Sequence, residues 1–505
     1  MRLTFVNLTS EPISISQSLL SRGLCGGCQI HNDVTEEIGV VHALTVKEGL
    51  LKGYRNDYLL MKSLAPTRER ADSETGTSKE WLINPTTFVV QLSMMFGASW
   101  QVIDAPQDCP WRVYCSRMTT THYKVLILTR RKMSSFLSDL PDSLPLSAVV
   151  LPGTHDTMAF YGYPVSQCQS PLTPLSTQLL SGIRVLDIRL AIVNTQFIAY
   201  HGIYPQRTPF SAILASVNAF LTSPQGSRET IVMSIKQEDF AIHSYLTFSK
   251  LVKESMMANP GGWKEPGDGS GDRGMWFLEN RVPKLGEVRG KVILFSRFGG
   301  NGEGWEGGLE GMGIHPLVWP DSSREGFEWM CKSTLVKAHD WYNIPSFLSI
   351  PEKVALSTRI LIPGVHPDDP PLHTPCYNPI YTTPIPYHPP LAISFLSAAS
   401  FPLSLPPIIA RGFGWPKLGL GIEGVNSRVG RWLLGILGGD SPMDLKAGKP
   451  TEPEKDNEPV EVPEPRVRGW VLMDYFDEPE RGGLVPLLVE CNFHGRRPGE
   501  EGWSR

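Results

Sequence analysis

The segment 148–202 constrains this chain most. Ala148, Val149, Val150 and Leu151 form an apolar run that enters a Pro152-Gly153 break and sets His155 beside Asp156. A helical pattern follows, and a second apolar run, 183–190, carries Asp187 and Arg189. A third, 197–200, ends in His201-Gly202. Short apolar runs bounded by breaks read as buried strands. Strands that alternate with helices predict a parallel sheet. In an α/β barrel the downstream strand ends share one face, and chemistry is done there.

The rhythm continues along the chain. Eight strand candidates stand at 148–151, 185–190, 197–200, 230–235, 292–295, 335–338, 391–396 and 470–473. Helical patterns fall at 177–181, 210–221, 245–257 and 425–437, the last with Val425, Val429, Trp432, Leu433 and Ile436 spaced for one face. The expectation is an α/β fold, a distorted TIM-type (β/α)8 barrel over 134–493. Gly-rich stretches at 260–273 and 299–313 and a Pro-rich stretch at 363–390 interrupt it. A segment at about 438–466, rich in Pro, Glu and Lys, is expected to be disordered. Because the run 470–473 lies beyond it, this segment interrupts the barrel before its last strand, and 494–505 form a polar tail. Residues 1–133 carry short, partly alternating runs between Gly, Asn, Asp and Pro. They read as a β-rich, sandwich-like N-terminal domain, with lipid or partner binding as its expected role.

The net charge of −4 argues against a dedicated nucleic-acid binder, which carries a basic footprint. Of the eight cysteines, Cys25 and Cys28 form a CxxC, but no second pair at knuckle-like spacing accompanies it. Reduced cysteines, no resident metal and a cytoplasmic compartment are expected. The start of the chain has no apolar core long enough for a signal peptide. The stretch 391–410 is uncharged and about the length of a membrane span, yet Pro402, Pro406 and Pro407 mark it as a strand followed by a loop. A monomer is expected.

At the downstream strand ends stand His155 and Asp156, Asp187 and Arg189, His201, Lys236 and Glu238, Arg297, Asp340 and Tyr342, and Asp474. Each has an ordinary alternative: a loop pair, a core histidine, an ion pair within a strand, a charge on the rim. Asp477 competes with Asp474. What favours chemistry is the convergence of two histidines, three cations and several carboxylates on one face.

Gly153-Thr154-His155-Asp156-Thr157, Leu186-Asp187-Ile188-Arg189, His201-Gly202, Glu229 to Lys236, Arg289 to Leu294 and His339-Asp340-Trp341-Tyr342 resemble the catalytic X domain of phosphatidylinositol-specific phospholipase C. The resemblance is to the bacterial, metal-independent branch and covers roughly 134–493. Calcium-dependent relatives place Asn after the first histidine and acidic ligands around the second strand. Here Asp156 and Arg189 stand in those places, and a guanidinium fits a phosphate in bidentate fashion.

The resemblance implies a lyase that makes diacylglycerol and inositol 1,2-cyclic phosphate without a cofactor or metal. Its substrate is a phosphatidylinositol-type lipid, met in transient contact with a membrane surface. His155 is the implied base and His201 the acid. Asp474 orients His155, Asp156 partners His201, Arg189 stabilises phosphate charge and Asp187 fixes Arg189. Lys236, Arg297, Asp340 and Tyr342 hold the inositol. Asp-Ile-Arg-Leu replaces the family's Asp-Ile-Arg-Gly, which narrows the pocket without touching a chemical role. Trp305, Trp319, Phe413 and Trp415 are placed on rim loops, where rings either pack or dip into a bilayer. The competing functions are another phosphodiesterase of the same barrel type, one acting on a glycosylated lipid for example, and a barrel that binds the lipid without turnover.

Overall fold

The structure, a computed structural model, describes residues 1–18, 35–51, 58–64, 87–92, 98–103, 105–239, 242–264, 274–302, 305, 308–362, 389–400, 404–415, 420–440, 460–461, 467–478 and 483–496. The expectations for Cys25-Gly-Gly-Cys28 and for most of the Pro-rich stretch, of the Pro/Glu-rich segment and of the polar tail lie outside the described residues. Two compact units divide the chain: Met1–Arg130 with Arg431–Pro463, and Arg131–Gly430 with Glu464–Arg505.

The first unit is β-structure. Arg2–Asn7 pairs antiparallel with Thr45–Leu50 and parallel with His122–Thr129, within a six-stranded sheet. A four-stranded sheet is built on Ile13–Ser18. Leu3/Phe5, Ile13/Ile15, Leu59/Met61 and Val125/Ile127 are all two apart, so each strand turns alternate side chains into one apolar cluster. Val460–Glu461 adds to the larger sheet beside Thr45 and Val46.

The second unit is α/β. Eight strands lie side by side in the order Trp276–Phe277, Lys291–Arg297, Thr230–Gln237, Val185–Val193, Val150–Thr154, Gly469–Met473, Leu391–Phe395 and Thr334–His339, each parallel to its neighbours. The sheet is curled. In a flat sheet, strands four places apart are about 19 Å from one another. Phe295 and Trp470, on strands that far apart in the order, have ring centroids 6.4 Å apart. Phe327–Cys331 pairs antiparallel on the far side of Thr334–His339, and among the described residues no ladder joins either of these strands to Trp276–Phe277, so the sheet is an open, barrel-like half rather than a closed ring.

One strand assignment needs correction. The run 197–200 is not a parallel barrel strand. Gln196–His201 returns antiparallel along Val185–Val193, with Leu190 opposite Ala199, and Tyr204–Pro209 follows it in the same excursion. The cause is the link. Asn194 and Thr195 both have positive φ, 49° and 65°, so the chain reverses in two residues. A parallel crossover needs about a dozen. The short strand Trp276–Phe277 supplies an eighth parallel member that the periodicity does not reveal.

Helices cover the sheet. Phe210–Thr222 buries Phe210, Ile213, Leu214, Val217 and Leu221, one helical face. Tyr245–Ala258 is capped by Ser244, whose hydroxyl accepts from the Thr247 amide. Within 391–410 a buried strand, Leu391–Phe395, is followed by a short helix, Pro406–Arg411, that starts on proline. Among the described residues no helix is long and apolar enough to cross a membrane.

Candidate active site

Strand register places the charged residues. Thr154 pairs with Leu186 on one side and Met473 on the other. The next residues, His155, Asp187 and Asp474, therefore meet at the downstream edge. The close approach needs Gly153: a Cβ there would lie 2.7 Å from the Val185 Cβ and 2.8 Å from its carbonyl oxygen. Further along the same edge Arg189 pairs with Lys236 and Lys236 with Arg297, a row of three cations across adjacent strands. The two-residue turn then brings His201 back toward Arg189, since Ala199 already faces Leu190.

His155 is nearly buried and bridges two charged partners. Its Nδ1 lies 2.8 Å from Asp474 Oδ1, and its Nε2 lies 2.7 Å from Arg189 Nη2. A guanidinium has donors only. Nε2 therefore accepts, which leaves the ring hydrogen on Nδ1 to be donated to Asp474. Asp477 does not make this contact, and Asp474 is the partner. Gln169 ties the loop down by donating to the carbonyls of His155 and Met473.

Arg189 is the hub. Its Nε donates to Asp187 Oδ2 at 3.1 Å, its Nη1 to Glu238 Oε1 at 3.2 Å, and its Nε lies 3.5 Å from Asp156 Oδ2. Asp187 also accepts from the Asp156 amide, from Ser234 and from Arg297. Burial pushes the Asp187 carboxyl up, but Arg189, Arg297 and His155 outweigh it and hold the group below the usual carboxylate range. Glu238 is likewise held low against burial, by Arg189 and Lys236.

The second histidine faces the other carboxylate. His201 Nδ1 lies 3.3 Å from Asp156 Oδ2. Asp156 has φ 41°, a left-handed conformation that aspartate tolerates better than most residues. Burial raises its carboxyl well above the ordinary value, with Arg189 opposing. Burial, then Arg189 and His155, lower His201 to about 3. Both directions disfavour a charged pair at this contact. The two imidazoles stand 6.4 Å apart, edge to face.

The remaining residues line the same mouth. Lys236 Nζ donates to Glu238 at 3.1 Å, and burial followed by Arg189 lowers its pKa. Arg297 lies over the Trp319 ring at 4.0 Å and 3.7 Å from Asp340 Oδ2. The Trp319 indole donates to Asp340 at 2.9 Å. Tyr342 is partly exposed and gives its hydroxyl to Asp321; burial, then this hydrogen bond, pushes its pKa up to about 12. No direct contact joins it to the histidines among the described residues. Of the rim aromatics, Trp305 is buried against Phe298 and Trp319 is packed on Arg297 and Phe395. Neither is free to dip into a bilayer, whereas Phe413 is exposed.

No family model matches the chain. A 1-phosphatidylinositol phosphodiesterase of Listeria monocytogenes is 31% identical over 170 residues, 32% of this chain and 48% of that protein. One of Staphylococcus aureus is 28% identical over 171 residues, 33% of this chain and 51% of that protein. The chain is homologous to bacterial phosphatidylinositol-specific phospholipase C over part of its length. It spans about half the length of the curated relatives it matches. Among solved structures, the phosphatidylinositol-specific phospholipase C of Listeria monocytogenes aligns at 20% identity and a TM-score of 0.39, over 72% of this chain and 99% of that one. A Staphylococcus aureus structure aligns at 19% identity and a TM-score of 0.45, over 71% and 97%.

Three contributors at the site are not visible in the strand-end pattern. Ser234 donates to Asp187 from inside a strand, two residues before Lys236; its place on the same face was the available signal. Trp319 reaches Asp340 from a loop. Cys168, fully buried, lies 3.7 Å by its Sγ from His201 Nδ1 and comes from the loop after the first barrel strand.

Proposed function

We propose that the chain is a phosphatidylinositol diacylglycerol-lyase that works by general acid and base catalysis without a metal. The observation that carries this reading is the paired geometry: His155 on Asp474 and His201 on Asp156, with Arg189 reaching both pairs. The relatives, 1-phosphatidylinositol phosphodiesterases by name, supply the substrate class of the proposal, phosphatidylinositol.

In this mechanism a phosphodiester oxygen takes the Arg189 fork, and Nη2 leaves His155. Nε2 then accepts the proton of the inositol 2-hydroxyl as that oxygen bonds to phosphorus. The bond from phosphorus to the diacylglycerol oxygen breaks, and that oxygen receives the proton held by the Asp156–His201 pair. Asp474 stabilises the imidazolium that forms on His155. Arg189, fixed by Asp187 and Glu238, faces the charge growing on the phosphoryl oxygens. Lys236, Arg297 and Asp340 are assigned to the inositol hydroxyls, and Tyr342 to its ring. Nucleophile and phosphorus belong to one substrate, so positioning supplies much of the rate.

The guanidinium also carries the metal-independent reading. It stands within 3.5 Å of Asp156, Asp187 and Glu238, neutralising the oxygens that a hard cation would need. Phosphorus NMR of the full chain with phosphatidylinositol in mixed micelles tests the proposal. A cyclic phosphate formed in chelator is the expected result. Product that requires calcium would overturn the role of Arg189, and no product from folded protein would overturn the substrate.

A further inference from the structure

We propose that Cys168, His201 and Asp156 form a binding site for a thiophilic divalent metal, zinc being the fitting ion, and that occupancy blocks the acid side of the active site. Ligand atoms of the three residues lie within 4.8 Å of one another. Two edges of the triangle are defined closely: Cys168 Sγ to His201 Nδ1 is 3.7 Å, and His201 Nδ1 to Asp156 Oδ2 is 3.3 Å. Zinc bonds of about 2.3 Å to sulfur and about 2.0–2.1 Å to nitrogen or oxygen, at tetrahedral angles, give edges of about 3.6 Å and about 3.3 Å. The side chains thus stand near their ligating separations.

A second observation points the same way. Asp156 is 1% exposed, yet its Oδ2 has no hydrogen-bond partner, although His201 Nδ1 and the Arg189 Nε stand nearby. A buried carboxylate oxygen without a partner is costly, and a metal would satisfy it. Arg189 opposes a second cation, but its charge is already met by Asp187 and Glu238 at 3.1 and 3.2 Å. Asp156 is therefore the carboxylate that it needs least. Sulfur selects the ion: a thiolate with one imidazole and one carboxylate suits zinc and discriminates against calcium and magnesium. The neighbouring set His155, Cys168 and Asp474 fits less well, because His155 spends both ring nitrogens on Asp474 and Arg189.

Burial, then Asp474 and Asp156, hold the Cys168 thiol protonated. Binding therefore releases that proton, and the one assigned to the Asp156–His201 pair, to solvent as the metal bonds form, with no change of oxidation state. The His201 side chain, 21% exposed where Cys168 is buried, is the ligand that meets an entering ion first. Once His201 is coordinated through Nδ1, the pair no longer carries its assigned proton, and the leaving oxygen loses its acid. The inhibitory effect rests on the proposed lyase reading; the binding does not.

The test is a cobalt titration of chelator-stripped full chain carrying Cys25→Ser and Cys28→Ser, which removes the two thiols of the CxxC. We expect one equivalent of cobalt to give a thiolate charge-transfer band, displaced by zinc, with release of about two protons. Cys168→Ala and His201→Gln should each abolish the band and weaken binding by at least about tenfold. His201 is partly exposed, so its variant guards against a folding failure at buried Cys168. No band in the parent, or a band that survives Cys168→Ala, overturns the site. Loss with Cys168→Ala but survival with His201→Gln overturns this ligand set. In parallel, zinc should inhibit lipid cleavage by the parent and not by Cys168→Ala. A cobalt band in a chain that cleaves no lipid would keep the metal site and remove the lyase reading.

Discussion

Arg189 donates from Nη2 to Nε2 of His155 at 2.7 Å, so the group assigned to the phosphate also occupies the lone pair assigned to the base. The two roles are coupled. A phosphate that draws the guanidinium to itself uncovers the base in the same movement, and a molecule without a phosphate leaves Nε2 engaged.

Arg189→Lys should therefore lower kcat/KM by on the order of 10²- to 10³-fold, because an ammonium cannot span His155, Asp187 and Glu238 together. Steady-state kinetics on micellar phosphatidylinositol measures this. A rate near that of the parent would show that the phosphate is held elsewhere.

His155→Ala and His201→Ala should each reduce turnover by about 10²- to 10⁴-fold, the usual contribution of general acid or base catalysis. Circular dichroism should remain that of the parent, since both side chains keep some exposure at the mouth. If either alanine variant keeps full activity, the two-histidine mechanism fails.

His201 should titrate upward when an anionic phosphate binds. Burial, Arg189 and His155 hold it at about 3, and a phosphate beside Arg189 offsets the second of these. Histidine NMR with and without inositol phosphate reads the change, and an unmoved resonance would contradict it.

Stability should fall as pH drops through the acid range. Among the described residues His339 donates from Nε2 to the Arg324 carbonyl and accepts at Nδ1 from Ser357, and burial followed by Lys353 lowers it to about 3. An unfolded histidine titrates near about 6.5. Between those values the unfolded chain binds the extra proton, so this contribution is fully present above about 6.5 and is lost as pH falls toward the folded value. Denaturant melts at a series of pH values should show a shallower slope for His339→Gln; an equal slope would remove His339 as the source.

Gly153→Ala should destabilise the protein by about 1–3 kcal/mol, since its Cβ would meet the Val185 Cβ and carbonyl at 2.7 and 2.8 Å. The same shift would separate His155 from Asp187, so activity should fall more than stability predicts. Equal thermal midpoints would show that the strands yield freely.

The site was legible where chemistry coincides with strand ends. Register alone brings His155 level with Asp187 and, further along the edge, Arg189 level with Lys236 and Arg297. Asp474 is favoured over its rival Asp477 in the sequence, and the pairing of Met473 with Thr154 makes the very next residue the neighbour of His155. The direction of Gln196–His201 was misread because Asn194-Thr195 lacks the glycine that usually marks a two-residue turn, although so short a link already excluded a parallel crossover. Cys168 could not be read at all, and Trp319 only as a rim-loop ring, without its partner Asp340. They reach the site from loops, and no periodicity governs where a loop side chain comes to rest.

Gly469–Met473 lies between Val150–Thr154 and Leu391–Phe395 in the sheet, yet follows both by a long interval in the chain. During synthesis the two older strands must wait with facing edges unpaired until this keystone emerges from the ribosome. Such edges template association with other chains. The partner of the proposed base rides on the same latecomer, so a nascent chain gains its closed seam and its working histidine at one moment, and a ribosome stalled short of residue 469 should display neither.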